Sequence, residues 1–447
     1  MTPGNWHWKQ AEPGDAVPKG EWWRLFHDPI LDDLESNALA GNQDLRAAVA
    51  RVDQARAAAR LERSQFFPEV SLDPSFSRQR TTGHLPTPIP FKVPAATFDT
   101  YSAPLDISYE VDLWGRVRRA FAAARAQAQG SVSDYQNVLL TLNGDVAVDY
   151  FLLRSQDSQM AALRRTIQLR QESVALLSAR YSAGTIGETD LVRARTELAT
   201  ARGDLADLTR QRAETANALA LLCGKPASLF EIAEQPSIGP PPKAPIALPS
   251  SVLERRPDIA SAERSLVAKC EQIGVARAAY FPVLRLTGQA GFLSADAKDL
   301  FSWDSRVWSI GPSVSLPLFN GGRTRSEVKQ AEGAYEEGVA GYRQTVLRAF
   351  KEVEDSLAQI VLWDEQNAAQ NDALDSARKV AVLARARYQA GAISYLEVID
   401  AERDVLAQER QQASLQGERF GAAVRLIKAL GGGWTEANVG KLGSGRP

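Results

Sequence analysis

Twice along this chain, a stretch of alternating apolar and polar residues runs straight into helix. "SYEVDLWGRVRRAFAAARAQ" (108–127) alternates up to Asp112 and turns Ala- and Arg-rich from Arg116. "SLPLFNGGRTRSEVKQAEGA" (315–334) makes the same change. Each corner opens a long window without proline: none lies between Pro104 and Pro226, and none between Pro317 and Pro447. Proline lacks the helical N–H donor and clashes with the preceding turn. Both windows are therefore free to be almost wholly helical.

Their apolar residues have a helical rhythm. Tyr135, Leu139, Leu142, Val146, Leu153, Met160, Leu163, Ile167, Val174, Leu177 and Tyr181 follow three- and four-residue steps, a few of which are polar. Val339, Tyr342, Val346, Phe350, Val353, Leu357 and Ile360 do the same in the second window. A period near 3.5 with Ala between predicts coiled-coil-like helices packed side by side, a pattern that an ordinary antiparallel coiled coil shares. A helix over 116–183 would be about 100 Å long at 1.5 Å per residue. It ends at "RYSAG", and its counterpart over 323–390 ends at "RYQAG". Gly184 and Gly391 suit the left-handed position that closes a helix. Shorter helices follow at 188–223 and 394–430, the second opening on a capping-box pattern from Ser394 to Glu397.

These hairpins are an internal repeat. An offset of 207 maps Gly184 to Gly391, Arg180 to Arg387, Tyr181 to Tyr388, Asp190 to Glu397 and Gly115 to Gly322. "FFPEVSL" (66–72) resembles "YFPVLRL" (280–286) at an offset of 214, so the first strand loop is about seven residues longer. A tandem duplication follows. After an N-terminal segment (1–43), repeat 1 (44–223) carries strands 68–80 and 98–111. A Pro-rich linker (224–256) precedes repeat 2 (257–431), with strands 282–294 and 305–319, and a tail (432–447). The helices at 44–66 and 188–223 are expected to stack end to end beside the first long helix, and 257–280 and 394–430 beside the second.

The strands sort by parity. Tyr101, Ala103, Leu105, Ile107, Tyr109 and Val111 oppose Ser102, Asp106, Ser108 and Glu110; Trp308, Ile310, Val314, Leu316 and Leu318 oppose Ser309, Gly311, Ser313 and Ser315. A sheet with one wet face reads this way, and so does a transmembrane β-barrel. Lipid tolerates no open strand edge, so four strands could span a bilayer only by pooling with other copies. No stretch reaches the roughly 20 apolar residues of a spanning helix. "MTPGNWHWKQ" lacks the apolar core of a signal peptide, which leaves a cytoplasmic chain or a mature exported form. The net charge of −2 and the lack of a basic cluster argue against nucleic acid. Cys223 and Cys270 share no metal-site spacing, and His7, His27 and His84 are scattered. With no nucleophile–base pair or phosphate loop visible, neither an enzyme, a cofactor nor a metal is expected.

The combination resembles the outer-membrane factor (TolC/OprM-type) family of tripartite efflux systems. "YEVDLWGRVRRA", "ERRPDIASAERSL", "IGVARAAYFPVLRLTG", "GPSVSLPLFNGGR" and the twin "RY.AG" turns carry the likeness, and "WWRLFHDPILDDLESNALAGNQDLRAAVARV" resembles the lipoprotein branch. The resemblance implies an α+β membrane protein: a homotrimer in which four strands per chain make a twelve-stranded outer-membrane β-barrel. A long α-helical barrel continues it into the periplasm, with a mixed equatorial domain. Lipoprotein members begin at an acylated cysteine, whereas here no cysteine precedes Cys223; acylation is an expectation about the native protein.

Function is then expected in geometry and charge, as a passive conduit for drugs or solvents. Implied partners are a periplasmic adaptor, an inner-membrane pump of the resistance-nodulation-division or major-facilitator type, and outer-membrane lipid. Positions matching Glu397 and Asp400 line the family's periplasmic constriction, and Tyr388 and Asp190 match a pair that holds it shut. Ile393 stands where the TolC type places an Arg partnered to the position of Thr189, which shifts closure toward hydrophobic packing. Acids in a helix's first turns also complement its dipole, so both readings of these residues stay open. Arg180, Tyr181, Gly184, Arg387, Tyr388 and Gly391 resemble the surface that receives the adaptor's hairpin; helix termination accounts for the glycines alone. A channel for secreted proteins and a soluble coiled-coil scaffold are the rival readings.

Overall fold

The computed structural model describes residues 20–83, 95–236, 239, 241 and 256–432. The tip of the first strand loop, most of the Pro-rich linker, the start of the N-terminal segment and the tail lie outside the described residues. In chain order the elements are α1 (Pro29–Gly41), α2 (Gln43–Ser64), β1 (Glu69–Leu72), β2 (Ser75–Arg80), β3 (Thr97–Val111), α3 (Arg116–Ser182) and α4 (Glu188–Leu222). Then come α5 (Pro257–Ala278), β4 (Val283–Ser294), β5 (Arg306–Ser315), α6 (Arg323–Gln389) and α7 (Tyr395–Ala429). They form two compact units: residues 1–50, 132–261 and 343–447, and residues 51–131 and 262–342. Among the described residues, no helix is long and apolar enough to cross a membrane.

The first unit is built on aromatic packing. Phe151 of α3 stacks on Phe420 of α7 at 4.3 Å, and Phe26 lies 4.8 Å from Phe151. Trp22, Leu31, Leu219 and Val424 complete this core. α1, within the stretch read only as a terminal segment, is fastened to it by its own cap. Asp28 accepts from the Ile30 and Leu31 amides, and its second oxygen accepts from the Tyr150 hydroxyl at 2.5 Å. At the other end of α1 two backbones nearly touch: a Cβ on Gly41 would lie 2.3 Å from the Cys223 carbonyl oxygen. Only glycine fits so close an approach.

Buried charge holds the start of the linker. Asp157 is fully buried on α3 and accepts from Arg154, Arg212 and the Gln235 amide. The two guanidinium groups also donate to the carbonyls of Ala233 and Ile232. Nearer the helix tips, Glu197 of α4 sits between Arg170 of α3 and Arg403 of α7. Arg170 is buried and also donates to the Glu197 carbonyl at 2.6 Å.

The second unit contains one antiparallel sheet, in which β1 and β2 both pair with β3, then β4, then β5. The strand read as 68–80 is broken, because Pro74 has no N–H to give the ladder and Asp73 instead bonds the Pro104 carbonyl. The strand read as 305–319 ends at Ser315, leaving Leu318 and Phe319 outside it and over 90% exposed (91% and 92%). Register makes the two faces distinct. Val70, Ile107, Gly288 and Ile310 form one row across the sheet, and Leu72, Leu105, Ala290 and Trp308 the next on the same side. On the other side run Ser71, Asp106, Gln289 and Ser309, with Gln289 donating to Asp106 at 2.9 Å.

At the corner after β3, Asp112 caps α3 by accepting from the Val117 and Arg118 amides. Gly115 takes φ +81°, and Trp114 stacks on Phe281 at 4.6 Å while donating to the Pro282 carbonyl. A side-chain cap and a left-handed glycine thus turn strand into helix without proline.

Three substitutions in the first unit test this account of its stability. Glu35 of α1 is buried, and among the described residues neither carboxylate oxygen has a hydrogen-bond partner. Burial, reinforced by Asp32, pushes its pKa to about 9 from 4.5. The folded chain therefore holds a proton that the unfolded chain releases, and stability falls as pH rises from about 4.5 to about 9. Glu35→Gln should raise the unfolding midpoint more at pH 8 than at pH 5, measured by thermal circular dichroism. In the same assay Glu197→Ala, which strands the buried Arg170, should cost about 3–5 kcal/mol. Arg403→Ala should cost under about 1 kcal/mol, because that side chain is 55% exposed.

Candidate functional site

The hairpin turns joining α3 to α4 and α6 to α7 are built alike. Gly184 donates to the Tyr181 carbonyl and Thr185 to the Arg180 carbonyl; Gly391 and Ala392 repeat these bonds to Tyr388 and Arg387. This is the Schellman arrangement, and it needs the positive φ of Gly184 (+69°) and Gly391 (+74°). A Cβ on either glycine would meet nothing within 4 Å. Both turns are open to solvent.

Inside the turns the repeats meet. The Arg180 guanidinium lies 5.6 Å from the Tyr388 ring centroid and donates to its hydroxyl at 3.4 Å. Tyr388 packs on Tyr395 at 5.3 Å. Beneath them Leu177, Leu191, Ala194, Tyr395, Val398 and Ile399 form a buried cluster, against which Ile186 and Ile393 pack. Ile393, at the position expected to lack an ionic link, is thus part of this apolar cluster.

The expected gate acids are placed less uniformly. Thr189, Glu397 and Asp400 are exposed and Asp190 is half-buried. Among the described residues Asp400 pairs only with its helical neighbour Arg403, at 3.4 Å, a surface contact of small energy. The expected Asp190–Tyr388 pair is not among the bonds of the described residues, where the Tyr388 hydroxyl accepts from Arg180. Nor does the capping box form. Ser394 occupies the cap position with no side-chain bond, and the Glu397 amide donates to its backbone carbonyl. Of the expected docking residues, Arg180 and Tyr388 are joined, whereas the Tyr181 and Arg387 side chains are exposed.

Tyr395 and the Arg170–Glu197–Arg403 group were not anticipated. One signal for the second was present: Glu197 interrupts the stripe of Leu191, Ala194, Ala201 and Leu208, all of them buried. A charge on an apolar stripe calls for a buried partner.

Known proteins match this architecture along nearly its whole length. The family model described as "Outer membrane efflux protein" matches residues 34–225 and 248–432. The solvent efflux pump outer membrane protein SrpC of Pseudomonas putida is 36% identical over 427 residues, covering 95% of this chain and 90% of its own. The pyoverdine export outer membrane protein OpmQ of Pseudomonas aeruginosa is 35% identical over 443 residues, covering 98% and 93%. The solved structure of the Campylobacter jejuni CmeC outer membrane channel superposes with a TM-score of 0.89 at 26% identity, covering 98% of this chain and 93% of that one. With its two strand-to-helix corners and its twin closing turns, this chain belongs to the outer membrane efflux protein family.

Proposed function

We propose that the protein is the outer-membrane channel of a tripartite multidrug or solvent efflux pump. Three copies pool their strands into a twelve-stranded barrel, and their long helices continue the conduit into the periplasm. The observation that carries this reading is the uncovered sheet. Its apolar rows include Trp308 at 77%, Ile310 at 81% and Val314 at 68% exposure, and among the described residues β5 has a neighbour on one side only. An apolar face next to an unpaired edge is stable in lipid only when the edge is closed by another strand. The opposite face, with Ser102, Asp106, Arg285 and Gln289, suits a water-filled lumen. The names of SrpC and OpmQ, a solvent efflux protein and a pyoverdine exporter, favour small molecules over secreted proteins as cargo.

In this reading the conduit does no covalent chemistry. It is shut at the hairpin end by the Leu177–Tyr395–Ile399 cluster, with Thr189, Asp190, Glu397 and Asp400 near the constriction and Tyr388 holding α3 to α6. A periplasmic adaptor docks on the two open turns at Arg180, Tyr181, Gly184, Arg387, Tyr388 and Gly391, and an inner-membrane pump of the resistance-nodulation-division or major-facilitator type drives export. The empty space above each turn glycine supports this placement, because a flat turn without a side chain admits a close helical tip.

Against Gly184→Ala combined with Gly391→Ala, which carries the same positive-φ strain without the bulk, Gly184→Trp combined with Gly391→Trp should give the same amount and oligomeric mass of purified protein. The same variant should reduce solvent or drug tolerance, in cells carrying the cognate adaptor and pump, to that of cells lacking the channel. Normal tolerance in the double variant would overturn docking at these turns.

A further inference from the structure

Where they leave the sheet, α3 and α5 pack together through Ala123, Ala126 and Ala268. A groove runs along each side of that contact. The first is lined by Ala120, Ala124 and Ala268. Arg116, Ala120 and Ala124 share one face of α3, being spaced by four. Arg116 donates to Glu110, on the polar side of β3, at 2.6 Å. This groove therefore continues the polar side of the sheet. The second groove is lined on α5 by Arg277, about half a turn out of phase with Ala268. It continues the apolar rows, which end at Val111 and Leu284.

A pocket of about 340 Å³ opens in the second groove, within the size range of small-ligand sites. Its lining joins Ile273 and the stacked Trp114 and Phe281 to two guanidinium groups, those of Arg119 and Arg277. The indole is fixed by its bond to the Pro282 carbonyl at 2.8 Å. Arg119 lies across Gly274, where a Cβ would overlap its Cδ; the glycine is what admits this arginine. At the matching positions of the other repeat stand Gly321, Ser326 and Arg60 in place of Trp114, Arg119 and Gly274. The combination does not recur there.

Each guanidinium has an acidic partner, Glu271 for Arg119 at 3.2 Å and Glu332 for Arg277 at 2.8 Å. The two arginines are 50% and 62% exposed, so these pairs contribute little. Arginine has five N–H donors, and among the described residues each of these two gives one to its acid. The others can form the paired bonds that a phosphate accepts. An indole and cationic groups at the end of an apolar face are the chemistry of a membrane–water interface.

We infer that this pocket holds a phospholipid headgroup. Its phosphate sits on Arg119 and Arg277 and its glycerol end against Trp114 and Phe281, while the acyl chains follow the apolar rows of β3 and β4. A free phosphate would use the arginines and leave the stacked rings and those rows uncovered. The placement of the pocket at the bilayer surface rests on the outer-membrane reading above.

Cys270 lines the same pocket and is exposed, whereas Cys223 is buried, so the native chain carries its own probe. The full chain in detergent is alkylated with a water-soluble maleimide, and the rate at Cys270 is read by intact mass, with Cys223 as the unreactive reference. Dioleoylphosphatidylglycerol at about ten times its dissociation constant should slow alkylation about tenfold. Diolein, which has the same chains and no phosphate, should not slow it, and neither should inorganic phosphate. Arg119→Gln with Arg277→Gln should abolish the slowing, read as the ratio of rates without and with lipid. Gly274→Ala, which displaces Arg119 and keeps both charges, should abolish it too. Equal slowing by diolein or by inorganic phosphate, or slowing that survives both variants, overturns the headgroup site. So does an unchanged rate in protein that floats with phosphatidylglycerol vesicles. Protein that does not float with them overturns the outer-membrane reading itself.

Discussion

A backbone amide or carbonyl in an apolar medium must find a partner, and the sheet of this protein cannot satisfy that rule alone. Among the described residues β5 on one side, and β1 and β2 on the other, each have one neighbour, and Trp308, Ile310 and Val314 of the apolar rows are largely exposed. Unpaired groups in hydrocarbon cost several kcal/mol each, so a chain that places such a sheet in lipid is committed to closing it with copies of itself. The rest of the architecture can be understood as a consequence. A closed ring of strands needs helices that leave the sheet at a defined corner, which Asp112, Trp114 and Gly115 provide after β3. It also needs long helices of equal length in both repeats.

Outside lipid the demands change. Helices satisfy their own backbones, and neighbouring helices need only side-chain complementarity. The first unit meets that need with aromatic packing around Phe151 and Phe420 and with a few buried charges whose partners come from distant segments. Asp157 fixes residues 232–236 against α3, and Glu197 joins α3, α4 and α7. Near the turns, where a conduit that opens should be least committed, the ties are weaker: an arginine over a tyrosine ring and an aliphatic cluster. Cation–π contacts at partly exposed sites contribute only about 0.5–1 kcal/mol.

Much of this was legible in the sequence because it depends on local rules. Proline-free windows, glycines that close helices and strict two-residue alternation report on the backbone of the segment that carries them. The break at Pro74 follows from the same rules but was overridden by the continuous alternation around it. What could not be read depends on partners far along the chain. Glu197 meets an arginine more than two hundred positions away, and Tyr388 finds Arg180 rather than Asp190, because a side chain's partner is set by helix packing and not by its own neighbours. The capping box at Ser394 and Glu397 failed for a related reason: the pattern permits the reciprocal bonds, but here the turn is closed by backbone groups.

The central claim is that the outer edges of the sheet are paired with other copies. Hydrogen exchange of the outward-pointing amides of β5, in protein reconstituted into lipid, tests it most directly. The account predicts that they exchange as slowly as the amides of β4, which are paired on both sides. Exchange at the rate of an open strand edge, in protein that has inserted into the bilayer, would contradict it.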